Sequence, residues 1–104
     1  MAEGQILREP GKAIGDGRKI VTAAGTREAL VASSVPCKEV AITAETDNTG
    51  SIVVGGNSVI AALATRQGTP LEPGDSVILK VSDLIVVYLD SMISGDGVTF
   101  TYLN

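Results

Sequence analysis

From Lys19 onward the chain is a succession of short apolar runs, broken at roughly eight- to twelve-residue intervals by turn-forming residues, which is the spacing of an antiparallel sandwich or barrel. The clearest alternation runs from Cys37 to Glu45. It places Val40, Ile42 and Ala44 on one face and Glu39, Ala41, Thr43 and Glu45 on the other, so one side of that strand is expected to be wet. Lys19 to Ala24 reads as a strand closed by Gly25-Thr26, and Glu28 to Ala32 as another closed by Ser33-Ser34-Val35-Pro36. Asp47-Asn48-Thr49-Gly50 has Asx and glycine turn chemistry and is expected to join Cys37–Glu45 to Ser51–Val54 as a hairpin. Ser58–Leu63 is ambiguous by period and is read as a strand. After a loop from Thr65 to Asp75, further strands are expected at 76 to 82 and 84 to 90. A last one runs from Val98 to Leu103, with Val98, Phe100 and Tyr102 sharing a side. About eight strands and no helix predict an all-β fold, a single small antiparallel β-sandwich with jelly-roll connections. An immunoglobulin-type sandwich would call for a central Trp and paired cysteines, and the chain has neither.

Residues 1–18 do not share this pattern. Gly4, Gly11, Gly15 and Gly17, with Pro10 and charges between them, interrupt every regular period, so the segment is expected to form an extended N-terminal arm ahead of a 19–104 domain. Ile6, Leu7 and Ile14 are its isolated apolar anchors. Such an arm orders on a neighbouring subunit and is a disordered tail without one.

At 104 residues there is room for one domain. The apolar fraction is 44%, but aromatics make up only 3% and Trp is missing, so the core must come from Val, Ile, Leu and Ala. A domain this small with an aliphatic core is marginally stable alone, which favours assembly. Eight basic against twelve acidic residues give a net charge of -4. The basic residues are scattered, so no nucleic acid is expected as a partner. No run approaches the ~20 apolar residues of a membrane span, and the first residues lack the features of a signal peptide, so no membrane is expected and synthesis in a cytoplasm is. Cys37 is alone and reads as a small buried hydrophobe rather than a reactive thiol.

The absence of histidine removes the commonest general base and zinc ligand. Asp75, Asp83, Asp90 and Asp96 each sit beside Gly or Ser or at a strand end, where Asp satisfies local backbone donors. Asp47, Asn48 and Asp96 carry oxygen ligands suited to calcium but lack the spacing of a calcium loop. Gly55-Gly56-Asn57 and Gly95-Asp96-Gly97 lack the Lys-Ser/Thr ending of a phosphate loop and read as tight turns. No catalytic residue, cofactor or metal is expected, and the chain does not read as an enzyme.

Four stretches carry a resemblance: Gly17–Thr26, Val35–Ala44, Gly50–Gly56 and Pro70–Ser76. Over about residues 17 to 102 the chain resembles small virion structural proteins of tailed bacteriophages, most of all capsid decoration or cement proteins. That resemblance implies a non-enzymatic homotrimer on the outer capsid surface of the virion, with the major capsid protein as partner. Under that role Ile6, Leu7, Ile14 and Arg18 are the expected partner-binding residues. A competing reading is a carbohydrate- or receptor-binding module of a tail fibre or baseplate, presenting loops 46–50, 64–75 and 93–97 to a glycan. The near lack of aromatics counts against it. A cupin-like enzyme would need a histidine-rich metal site, which this chain cannot build.

Overall fold

The computed structural model describes residues 13–104, and within them the chain is all-β, with two four-stranded antiparallel sheets. In chain order the strands are β1 (Ile14–Ile20), β2 (Glu28–Ala29), β3 (Glu39–Ala44), β4 (Ile52–Gly55), β5 (Thr69–Leu71), β6 (Ser76–Leu79), β7 (Tyr88–Ser91) and β8 (Gly97–Leu103). Sheet one has the order β1-β8-β3-β6 and sheet two the order β2-β7-β4-β5. Among the described strands, β4 and β5 are the one consecutive pair in the same sheet, and every other connection crosses between sheets.

The crossings follow from what each strand must bury. In β3 the alternation is as expected: Val40, Ile42 and Ala44 are fully buried while Glu39, Ala41 and Thr43 are partly exposed. In β4, Ile52, Val53 and Val54 are all buried, which a strand with one wet face cannot accommodate. The expected β3–β4 hairpin is therefore not formed: β4 lies in the other sheet, covered on both faces. Its inner face, Ile52 and Val54, joins the main core with Val40, Ile42, Leu89, Val98 and Phe100. Its outer residue, Val53, packs under Val59 and Ala61 with Tyr88 beside them. Val59 and Ala61 belong to the excursion between β4 and β5, so Ser58–Leu63 is a strap across sheet two rather than a strand. The strap is closed by an isolated bridge between Ile60 and Gln67 and by a 3-10 turn, Leu63–Thr65.

The domain also begins earlier than position 19. The glycines expected to break the pattern instead admit it to the sheet, because Gly15 pairs with Tyr102 and Gly17 with Phe100 across β1 and β8. A Cβ on Gly17 would lie 2.5 Å from the Phe100 ring, and one on Gly15 would overlap the Tyr102 ring. The aromatic rings cover the bare glycine backbone and supply the burial that those positions lack. Ile14 and Arg18, expected in the arm, are thus strand residues, whereas Ile6 and Leu7 lie outside the described residues. Three smaller differences share one cause, the short reach of local pattern. Glu28–Ala32 shrinks to two paired residues, Leu84–Val86 is a 3-10 turn, and Thr69–Leu71 pairs with β4 despite its proline. That proline is tolerated because β5 is an edge.

Gly17→Val is expected to destabilise the domain by about 1–3 kcal/mol through overpacking against Phe100. Asp16→Thr, on the opposite face of the same strand, is expected to stay within about 0.5 kcal/mol. Urea unfolding of the two variants checks the contrast.

Candidate binding surface

The carboxylates of the C-terminal third are committed to backbone, as their sequence contexts predict, but two of them act at long range from buried positions. Asp90, 2% exposed, accepts from Ala61 N–H at 2.8 Å, Ser91 N–H at 2.9 Å and Gly25 N–H at 3.1 Å, fixing both the strap and the turn after β1 to β7. Asp96, 4% exposed, accepts from Gly50 N–H at 2.9 Å and Thr49 N–H at 3.0 Å. Asn48 completes that corner: its Nδ2 donates to Gly97 C=O and its Oδ1 accepts from Gly97 N–H, both at 2.9 Å. Asp83 accepts from the Ser34 hydroxyl and from Ile85 and Val35 N–H, the last two at 2.9 Å, and these bonds together hold its carboxyl below the usual range. Asp75 accepts from Glu72 N–H at 3.0 Å within its own turn.

Asp96 and Asn48 therefore spend their oxygens on N–H donors, which is the wrong polarity of environment for a cation. Among the described residues no cluster of three or more His, Cys, Asp or Glu could hold a metal ion. Cys37 is buried, with Sγ 3.2 Å from Val81 C=O, and burial followed by the nearby Asp83 charge pushes its thiol pKa up. That places it with the core rather than with nucleophiles.

Glu28 links the two sheets. Its Oε1 meets Lys19 Nζ of β1 at 2.9 Å, while Oε2 accepts from Thr22 N–H, Thr22 Oγ1 and Ala23 N–H. Burial opposes its ionisation, but Lys19, Thr22 and Ala23 outweigh burial and hold the carboxyl at about 2.

What remains unspent is the outer face of sheet one. The registers align Ile14 with Leu103 and Glu39, then Asp16 with Thr101, Ala41 and Ile78, then Arg18 with Thr99, Thr43 and Ser76. Ile14 is 72% exposed and Ile78 63%. The structure thus puts two of the expected partner residues, Ile14 and Arg18, on one face. It also adds Ile78, which the sequence hides inside the uniform run Val77-Ile78-Leu79. Arg18 is not free on that face. Its guanidinium is paired with Glu45 through both carboxylate oxygens, Nη2 to Oε1 at 3.0 Å, across the intervening β8. The pair raises the Arg18 pKa and lowers that of Glu45.

The loops of the competing reading also come together, since Asp96 ties 93–97 to 46–50, and Gly74 N–H donates to Ala44 C=O beside them. None of the three aromatics is at that end: Phe100 and Tyr102 cover the β1 glycines, and Tyr88 packs against the strap cluster. Compared with known protein families, with curated proteins and with solved structures, the chain matches none.

The Glu28 carboxyl fixes an acid limit. Because its folded pKa lies below its unfolded one, its stabilisation is complete above about pH 4.5 and is lost as pH falls toward 2. Glu28→Gln is expected to cost roughly 1–3 kcal/mol at neutral pH and to flatten the stability profile between about pH 4.5 and 2. Chemical denaturation across that range measures both. Asp90→Ala, which leaves the Ala61 and Ser91 N–H groups without their acceptor while Gly25 N–H keeps Ser91 C=O, is expected to cost about 2–4 kcal/mol, read as a lower urea midpoint.

Proposed function

We propose that this protein is a non-enzymatic virion structural protein of a tailed bacteriophage, a decoration or cement protein that binds the outer head surface. The observation that supports it most is the division of labour among side chains. Buried carboxylates are consumed in pinning corners, while the outer face of sheet one leaves Ile14 and Ile78 in solvent. A surface of that kind suits many repeated weak contacts on a lattice. The strand order, in which every connection but one crosses between sheets, is read as the jelly-roll winding expected from the sequence. The resemblance over residues 17 to 102 implies a trimer with the major capsid protein as its partner.

In this role the protein acts by differential affinity. If it binds the expanded lattice more tightly than the unexpanded one, every bound copy shifts the shell toward the mature form. Rim carboxylates and the Arg18–Glu45 pair tune the encounter, and Ile14 and its neighbours bury apolar area. The loop cluster of the glycan-binding reading lacks an aromatic platform among the described residues, so the geometry favours the sheet face.

The test is occupancy on expanded heads. A chain lacking residues 2–12, which spares β1, and an Ile14→Asp variant are each expected to bind expanded capsids at least tenfold more weakly than the full chain while retaining its melting temperature. Sedimentation of capsids with bound protein measures this. Full occupancy by both variants, or no binding by the full chain, overturns the reading.

A further inference from the structure

An antiparallel sandwich leaves four strand edges, and three of them here carry a device against pairing. β2 is two residues long, β5 contains Pro70, and β1 holds Asp16, Arg18 and Lys19. β6, Ser76-Val77-Ile78-Leu79, has no charge, no proline and, among the described residues, no covering segment in its sheet order. Its backbone phase is set by Ala44, whose N–H donates to Asp75 C=O and whose C=O accepts from Gly74 N–H. Counting on from that contact by twos, Val77 and Leu79 exchange hydrogen bonds with β3, and the N–H and C=O groups of Ser76, Ile78 and Lys80 point to the open side.

We infer that β6 is a two-fold interface at which a second copy of this chain adds its own β6 antiparallel, joining two copies of sheet one into one eight-stranded sheet. The strand is complementary to itself in charge. The turn before it is acidic, with Glu72 and Asp75, and Lys80 directly follows it. Antiparallel pairing brings each Lys80 beside the other copy's acidic turn. Glu72, Asp75 and Asp83 are all hydrogen-bonded within their own chain and all keep their charge, and Asp75, next to Ser76, is the one that this pairing sets nearest the other copy's Lys80.

The register follows from burial. Centring the pair on Ile78 sets that 63%-exposed side chain against its counterpart on the outer face, and places Val77 opposite Leu79 on the core side. It also makes hydrogen-bonded pairs of all three residues whose backbone faces outward. Centring on Val77 would instead place Ile78 against Ser76 and draw the kinked Gly74 into the ladder. The inference does not depend on the capsid reading, since it concerns the purified chain alone.

The test uses the full chain without capsids. Light scattering during size-exclusion chromatography is expected to give the mass of an even number of chains. Ile78→Lys is expected to halve it or reduce it to an odd number, with the circular dichroism and melting temperature of the parent retained. In a Cys37→Ser background, Ile78→Cys is expected to oxidise to a covalent dimer, because hydrogen-bonded antiparallel partners stand about 5.5 Å apart at Cα, within disulfide reach. Ser76→Cys is expected to stay reduced, its copies standing about 14 Å apart in this register. A monomer at millimolar concentration, a mass unaffected by Ile78→Lys, or cross-linking at 76 but not at 78 overturns the proposal. No head binding by the full chain while the Ile78→Cys variant cross-links would strike the capsid reading and leave this one standing.

Discussion

The fold depends on satisfying the backbone wherever the chain leaves one sheet for the other. Each crossing exposes N–H groups that no strand ladder can use, and burying them unpaired would cost more than the aliphatic core can offset. Asp83, Asp90, Asp96 and Glu28 meet this constraint by accepting two or more hydrogen bonds apiece from such groups. A carboxylate suits the task because it accepts without donating and forms stronger bonds with N–H than a neutral acceptor does. The excess of acidic over basic residues therefore has a partly architectural origin.

With the corners fixed, the two sheets can differ in character. Sheet two is covered on both sides, by the main core and by the strap whose Ala61 is bonded to Asp90. Among the described residues sheet one is covered on one side only, and its other side combines hydroxyls, the Arg18–Glu45 pair, the carboxylates Asp16 and Glu39, and the exposed Ile14 and Ile78. Ile14 and Ile78 stand exposed on sheet one, while Leu63, Val86, Met92 and Ile93 stand exposed on the strap and the turns, and within sheet one the least protected edge is β6. The same asymmetry underlies the face-on contact proposed for a capsid lattice and the edge-on contact proposed between copies.

Much of this was readable from residue order. The alternation of Cys37–Glu45 located β3 and its buried face, the turn Pro70–Ser76 located the entry to β6, and the turn contexts of the aspartates foretold their bonding to backbone. The failures have physical causes. Gly15 and Gly17 look like breakers until Phe100 and Tyr102, more than eighty residues away, are set across from them. The turn Asp47–Gly50 looks like a hairpin because local chemistry cannot reveal that Asp96 binds it from another loop. The run Ser58–Leu63 has the composition of a strand, but what it covers, Val53, becomes visible only when sheet two is assembled. On the candidate surface, Ile14 was legible as an isolated apolar residue, whereas Ile78 was hidden by apolar neighbours of the same kind.

The alternation of successive strands between sheets also bears on how the chain reaches this state. With β4 and β5 the only sequential neighbours in a sheet among the described strands, little native pairing can form early from nearby residues, and β1 must wait for β8, six strands later. High contact order of this kind places folding in the millisecond-to-second range and leaves half-built strands exposed meanwhile. During synthesis sheet one cannot close until β8 has emerged, so β1 stays without its partner while the six strands between them are made.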